Sequence, residues 1–317
     1  MRLPRVACVV GPTASGKSEI ADLVAEKLGG EVVSVDSMQV YRGMDIGTAK
    51  VAPGGTRVPL HMIDVADVSE PYSVARFQRE ARSCVDDVMR RGKVAVLCGG
   101  TGLYLDAVID EMVFPEGEVE VQRRSAYERI AREQGPDALY AMLVERDPGS
   151  AALIHPHNVR RVVRALELCD EGASYGVRNE GLRMRSPHYD ARVWALVVAR
   201  EVLYERIEQR VDAMFAAGLV DEVRKLETEG LRDAKTASQA IGYREVLRHL
   251  DGEFDLDECV RLVKRNTRHY AKRQLSWIRR DGRAHPVEMD GRSPEEAAGF
   301  ICEEWNAFVG GEVHGTI

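Results

Sequence analysis

The chain has 317 residues, with 44 Lys plus Arg against 51 Asp plus Glu and a formal net charge of −7. That balance excludes a protein that coats nucleic acid through a uniformly basic surface. A composition of 44% hydrophobic and 30% charged residues excludes disordered and fibrous chains. At ~150 residues per domain the length suggests about two domains. Six cysteines (Cys8, Cys84, Cys98, Cys169, Cys259, Cys302) lie far apart without a CxxC pair, which argues against a disulfide framework or a structural zinc site and predicts reduced thiols. No stretch approaches the ~18–20 apolar residues of a membrane span. The apolar run Val6 to Val10 near the start is too short for a secretory signal. The expectation is a soluble cytoplasmic protein.

In chain order, Val6 to Val10 reads as a buried strand stopped by Gly11. Ser18 to Leu28 reads as a helix with Ile20, Leu23, Val24 and Leu28 on one face, ended by Gly29-Gly30. Glu31 to Val35 is a second strand, Tyr72 to Arg91 a helix, and Lys93 to Cys98 a further strand ending at Gly99-Gly100-Thr101. This alternation predicts an α/β fold with a parallel sheet flanked by helices on both faces. From about Pro115 strand signals disappear. Ala126 to Gln134, Asp137 to Glu145 and Val159 to Glu171 fit short helices. Val193 to Val198 restores a strand, and Tyr204 to Ala217, Leu219 to Glu229, Ser238 to Leu250 and Asp257 to Arg279 read as helices. The expected organisation is a P-loop α/β core over 1–115 and 193–317, interrupted by an all-helical insertion over 116–192. Gly310 to Ile317 reads as a loose tail.

Gly11-Pro12-Thr13-Ala14-Ser15-Gly16-Lys17-Ser18 matches G-x-x-x-x-G-K-[ST] between a strand and a helix, the context of a phosphate-binding loop. Its backbone N–H groups and the helix N-terminus bind phosphate, Lys17 adds a mobile cation, and Ser18 can hold Mg²⁺. The motif specifies a polyphosphate but neither its identity nor whether a phosphoryl group moves. A nucleotide hydrolase places an acid at the end of a second hydrophobic strand. Here the strand Lys93 to Cys98 ends in Gly99-Gly100-Thr101-Gly102, and Asp36, closing the strand before it, is the carboxylate so placed. Ligands gather at the carboxyl ends of parallel strands, so Asp36 and Thr101 are expected to face the cargo of the loop. A metabolite kinase fits poorly with the acid-free strand end, and a noncatalytic nucleotide switch leaves Asp36 and Thr101 unused. Taken alone, the residues describe a polyphosphate-dependent enzyme with RNA as a candidate substrate.

These residues resemble one family, the tRNA dimethylallyltransferases (tRNA isopentenyltransferases). The matching runs are Gly11 to Ser18, Asp36-Ser-Met-Gln-Val-Tyr41, Met44 to Lys50 (Met-Asp-Ile-Gly-Thr-Ala-Lys), His61-Met-Ile-Asp64 and Gly99-Gly-Thr-Gly-Leu-Tyr104. Arg160 to Glu167, Ile241-Gly-Tyr-Arg244 and Ala271-Lys-Arg-Gln-Leu-Ser-Trp277 complete the series in the family's order. Leu60 replaces the first of the family's usual two histidines, and the C-terminal zinc finger of eukaryotic members is absent.

The resemblance implies transfer of a dimethylallyl group from dimethylallyl diphosphate to N6 of the adenine beside the anticodon (tRNA position 37), with Mg²⁺ as cofactor. In that reading Asp36 is the general base, Thr101 hydrogen-bonds at the reacting centre, and the phosphate loop with Lys17 and Ser18 holds the diphosphate leaving group. Arg210 matches an additional diphosphate-binding arginine, with Arg206 one helical turn away as the competing candidate. The expected partners are the tRNA anticodon stem-loop and dimethylallyl diphosphate, with no membrane and the chain acting as a monomer.

The target adenine must leave its stack to reach Asp36. RNA contacts map onto Asp36, Ser37, Met38, Gln39 and Thr101, then Arg160, Arg161 and Arg164 of the insertion. Gln239, Ala240, Ile241, Gly242, Tyr243 and Arg244 follow, and then Lys272, Arg273, Gln274, Trp277 and Arg279. Arg261, Lys264, Arg265, Arg268 and Lys272 fall on one helix face and suggest phosphate contacts. Tyr243 and Trp277 are candidate stacking partners for bases, with packing the favoured role for Trp277.

Overall fold

The computed structural model describes residues 3–52, 54–114, 121–177, 180 and 186–310. Strands β1 (Arg5–Val10), β2 (Glu31–Ser34), β3 (Leu60–His61), β4 (Ala95–Gly99), β5 (Asp190–Val197) and β6 (Ala284–Glu288) form one sheet of order β3-β2-β4-β1-β5-β6. Every neighbouring pair is parallel. Helices in chain order are α1 (Lys17–Lys27), α2 (Val74–Arg90), α3 (Gly102–Ile109), α4 (Val121–Glu133), α5 (Pro136–Arg146), α6 (Pro148–Ala151) and α7 (Val159–Asp170). Then follow α8 (Arg200–Ala216), α9 (Leu219–Thr228), α10 (Tyr243–Leu250), α11 (Leu256–Ile278) and α12 (Pro294–Gly310).

The sheet is apolar on both faces because helices cover both, as the unbroken run Val6 to Val10 foretold. Alternate β1 side chains serve opposite cores. Val6, Cys8 and Val10 join Phe77, Ala81, Val85 and Val88 of α2 and Leu105, Val108 and Ile109 of α3. Ala7 and Val9 join Ile20, Leu23 and Val24 of α1 and Ala298, Ile301 and Trp305 of α12. β1 is therefore flanked by β4 and β5, and the loop that follows it opens at the carboxyl edge of the sheet, beside the ends of β2 and β4.

The chain divides into two compact units, residues 1–110 with 187–317 and residues 111–186. The second unit is all-helical over its described residues and has its own core of Leu139, Leu143, Val162, Val163 and Leu166. Its limits differ from the expected 116–192. Asp190, Ala191 and Arg192 are in register with Arg5, Val6 and Ala7, so they belong to the sheet. Residues 115–120, where the expected insertion begins, and the tail 311–317 lie outside the described residues.

Other readings need correction. Ser238 to Leu250 is not one helix: a 3₁₀ turn at Ala237–Gln239 is separated from α10 by Gly242, whose φ of 95° only glycine adopts readily. The Glu245 carboxylate accepts the Gly242 N–H at 2.8 Å and starts α10 there. The helices and strands not foreseen among the described residues are β3, β6, α3, α6 and α12. α3 is almost wholly apolar and buried, so it carries no helical periodicity, and β6 carries Pro286, which edge strands tolerate.

Candidate active site

The phosphate loop is built by sterics. Gly16 (φ 87°) and Ala14 (φ 64°) take left-handed conformations that curl the chain before α1. At Gly11 a Cβ would stand 2.6 Å from Ser15 Oγ and 3.3 Å from Leu196 Cβ, so a larger residue there would displace the Ser15 side chain. The loop forms one wall of a cavity of about 490 Å³ lined also by Asp36, Gln39, Cys98, Arg210 and Tyr270. Lys17 Nζ donates to the Pro12 carbonyl at 3.2 Å, and burial pushes its pKa down. Arg210 Nη1 donates to Thr13 Oγ1 at 3.4 Å, and burial lowers its pKa too. Two cations held in a poorly hydrated wall are stabilised by an arriving anion. Arg206, by contrast, is exposed. The structure thus sets Arg210, and not Arg206, against the phosphate loop.

Asp36 follows β2, where its Oδ1 accepts N–H groups from Met38 (2.8 Å) and Gln39 (3.4 Å). The Gln39 amide donates to the Thr48 carbonyl at 3.2 Å, and its Oε1 accepts from Ser34 Oγ at 3.0 Å. Thr101, the residue before α3, accepts the Ser37 N–H at 3.4 Å, which ties the ends of β2 and β4 together. Tyr270 Oη lies 3.5 Å from Thr101 Oγ1, and burial raises its pKa to about 12. Cys98 lines the cavity with Sγ 3.6 Å from the Lys17 carbonyl, its pKa raised by burial to about 11.

A loop outside the sheet covers this cavity and is fixed by charges. Lys50 Nζ donates to the Tyr41 carbonyl (2.5 Å), Asp45 (2.9 Å) and Asp64 (2.5 Å). The Glu222 carboxylate accepts N–H groups of Asp45, Ile46 and Gly47 at 3.1, 2.8 and 3.3 Å, and the Tyr243 hydroxyl at 2.6 Å. Ala49, Met62 and Asp64 carry positive φ without being glycine, so strain concentrates in these segments.

The residues expected at an RNA surface divide sharply. Ser37, Met38 and Gln39 are half-buried beside Asp36, and Gln239, Lys272, Arg273 and Arg279 are exposed. Arg160 and Arg161 are exposed on α7, while Arg164 pairs with Glu167 at 3.1 Å. Ala240 and Gly242 are buried, Ile241 packs against the core, and Arg244 is held by Glu245 at 2.5 Å. Tyr243 is 0% exposed, which corrects the idea that it stacks on a base. Gln274 is also buried: its Oε1 accepts the Thr13 N–H (2.8 Å) and its Nε2 donates to the Gly100 carbonyl (3.0 Å). It braces the two site loops and lines the cavity beside Asp36. Trp277 packs against Gly102, where a Cβ would fall 2.3 Å from its indole, and donates to Asp106 at 3.1 Å.

The basic face of α11 is less free than its sequence suggests. Arg261 pairs with Glu258, Lys264 with Asp212 (2.7 Å) and Arg268 with Glu208 (2.6 Å). Arg283 is bound by Asp106, Asp110 and Asp281 and is a structural residue. Sequence reasoning missed Tyr270, whose only signal is its spacing i, i+4, i+7 with Gln274 and Trp277.

A loop made for phosphate, two desolvated cations beside it, and a carboxylate at the next strand end define a P-loop α/β enzyme of the group-transfer class. Residues 39–281 match the model of the IPP transferase family. The chain is 47% identical over 311 residues to a tRNA dimethylallyltransferase of Geobacillus kaustophilus, covering 98% of this chain and 97% of that one. It is 48% identical over 286 residues to a tRNA dimethylallyltransferase of Streptomyces coelicolor, covering 89% of each. Among solved structures it is similar to the full-length tRNA isopentenylpyrophosphate transferase of Bacillus halodurans, at 40% identity and a TM-score of 0.70 over 98% of this chain and 99% of that one. It is also similar to a eukaryotic dimethylallyltransferase acting on tRNA, at 28% identity and a TM-score of 0.80 over 99% of this chain and 81% of that one. The chain belongs to the tRNA dimethylallyltransferase family.

Proposed function

We propose that this chain transfers the dimethylallyl group of dimethylallyl diphosphate to N6 of the adenine adjacent to the anticodon of tRNA, releasing diphosphate. The observation that carries this reading is the placement of Asp36 in one cavity with the phosphate loop, Lys17 and Arg210. The C–N bond forms between N6 and C1 of the prenyl group as the C1–O bond breaks, and its electron pair leaves with the diphosphate. Asp36 accepts the N6 proton, which a weakly nucleophilic exocyclic amine must shed. Its Oδ1 is oriented by the Met38 and Gln39 N–H groups, so the carboxylate is fixed before the base arrives. Lys17 and Arg210 stabilise the charge growing on the diphosphate.

The residues present fit Mg²⁺. No cluster of three His, Cys, Asp or Glu side chains capable of holding a metal occurs among the described residues, and Ser18 offers a single hydroxyl at the first turn of α1. Such a donor set suits an ion that keeps its waters and takes phosphate oxygens. Ser18 would hold Mg²⁺, which when bound neutralises diphosphate charge. Exposed Gln239, Lys272, Arg273 and Arg279, with Arg160 and Arg161 of the helical unit, are the RNA-gripping residues of this reading. No helix among the described residues is long and apolar enough to cross a membrane. The enzyme works in the cytoplasm, as a monomer on its tRNA.

The test is incubation with Mg²⁺, labelled dimethylallyl diphosphate and unmodified tRNA, followed by nuclease digestion and nucleoside mass spectrometry. The expected product is N6-dimethylallyladenosine from the position beside the anticodon. ATP-dependent phosphorylation of a small acceptor without label in the RNA refutes the reading.

A further inference from the structure

The cavity that joins Asp36 to the phosphate loop must also admit a flat, uncharged ring if the extruded adenine is to reach the carboxylate. Loop backbone, Lys17 and Arg210 serve a diphosphate, not a base. Tyr243 is buried against Gly47 and Glu222, and Trp277 is occupied by Gly102 and Asp106, so neither offers a face to a ligand. Tyr270 of α11 is the one aromatic residue among the described residues that line the cavity. Two contacts hold its ring. Its phenol oxygen lies 3.5 Å from Thr101 Oγ1, and the Arg273 guanidinium carbon stands over one ring face, 5.6 Å from the centroid. Arg273 is exposed, so the face it covers is the outer one, and the opposite face is left for the cavity. Burial first, and then the nearby Asp36 charge, raise the phenol pKa to about 12, so ring and carboxylate share one poorly hydrated compartment.

A base lifted out of its loop loses the stacking contacts of both neighbours, and enzymes that extrude bases replace them with aromatic or apolar side chains. Resting on the transferase reading above, we propose that Tyr270 is the stacking platform of the extruded adenine, its inner ring face against the base while the N6 edge meets Asp36. Arg273 on the outer face holds the ring in place. The role is one of binding and orientation: no bond to Tyr270 forms or breaks, and its hydroxyl is not required. Stacking is blind to base identity, so the choice of adenine is left to the groups that meet its edge.

The experiment compares wild type, Tyr270→Phe and Tyr270→Leu. An anticodon stem-loop with 2-aminopurine at the target position reports stacking by its fluorescence, which is quenched in a stack and bright outside one. Label transfer to unmodified tRNA and inorganic diphosphate affinity are measured on the same proteins. Tyr270→Phe keeps the ring and is expected to match wild type in all three. Tyr270→Leu fills the space without a π-face and is expected to brighten the bound 2-aminopurine and lower kcat/KM for tRNA about tenfold, the scale of one lost base–aromatic stack. Its diphosphate affinity stays unchanged. Should Tyr270→Leu fail to bind diphosphate, Tyr270→Met repeats the measurement with a more adaptable side chain. A Tyr270→Phe as impaired as Tyr270→Leu overturns the proposal, because the hydroxyl and not the ring is then what acts. Bright 2-aminopurine on wild type overturns it, as does a Tyr270→Leu that leaves fluorescence and kcat/KM unchanged while wild type transfers label. A wild type that transfers no label overturns the transferase reading and this proposal with it.

Discussion

Gln274→Met separates two roles that the family motif and the fold assign differently to one residue. The side chain is 4% exposed and bridges the Thr13 N–H (2.8 Å) and the Gly100 carbonyl (3.0 Å). Methionine keeps its length and volume but neither hydrogen bond, so packing changes little. Each buried backbone group left unsatisfied costs about 1–3 kcal/mol. Thr13 opens on the cavity, where water replaces the lost acceptor, whereas Gly100 lies beneath Gln274 so closely that a Cβ there would be 2.1 Å from its Nε2. The net loss is therefore about 2 kcal/mol, which for a unit of this size lowers Tm by about 4–8 °C. Thermal unfolding with and without inorganic diphosphate, together with tRNA binding by filter retention, measures both roles. A lower Tm, weaker diphosphate binding and unchanged tRNA affinity are expected. An unchanged Tm with weakened tRNA affinity would refute the bracing role and return Gln274 to the RNA surface.

Asp36→Asn keeps an acceptor for the Met38 N–H but cannot take a proton. It should reduce transfer by about 10²–10⁴-fold, the usual worth of a general base, with tRNA affinity unchanged in the same filter assay. Arg279→Ala and Lys272→Ala should weaken tRNA binding and reduce the salt slope by about one each, because both side chains are exposed. Arg268→Ala should change that slope less, since Glu208 already holds its guanidinium at 2.6 Å. At the opposite end of the sheet, buried Glu31 accepts from Arg91, Lys93 (2.8 Å) and His61 (2.6 Å), and Arg91 foremost holds its carboxyl well below the usual range. A depressed folded-state pKa stabilises the fold fully above the unfolded value, and that stability is lost as pH falls through about 4 toward the folded value. Glu31→Gln should thus lower stability by about 2 kcal/mol at pH 7, with the difference from wild type shrinking in acid, as urea titrations across pH will show.

What the sequence revealed was contiguous in the chain. The phosphate loop, Asp36 and Thr101 sit at strand ends marked by runs of β-branched residues, so strand, loop and chemistry were read together. Non-local pairing was hidden. The acids that occupy Lys264 and Arg268 are Asp212 and Glu208 on α8, 52 and 60 residues away, and nothing near α11 announces them. Tyr243 shows the same blindness: an aromatic beside Arg244 suggests stacking, but its hydroxyl is directed to Glu222 and its ring against Gly47, where a Cβ would stand 2.3 Å away. The break at Gly242 escaped because apolar periodicity runs on through it, whereas a positive φ is a property of the fold. Tyr270 belongs to no recognised motif and acquires meaning only when α11 lies across the ends of β1 and β4.

The central claim is that the phosphate loop holds a departing diphosphate and not a nucleotide. The most direct measurement is the stoichiometry of one turnover: diphosphate released against prenyl label entering tRNA, with orthophosphate measured in the same sample. One diphosphate per prenyl group, and no orthophosphate, is the expected result. Orthophosphate released from ATP, or diphosphate released without label in the RNA, would contradict it.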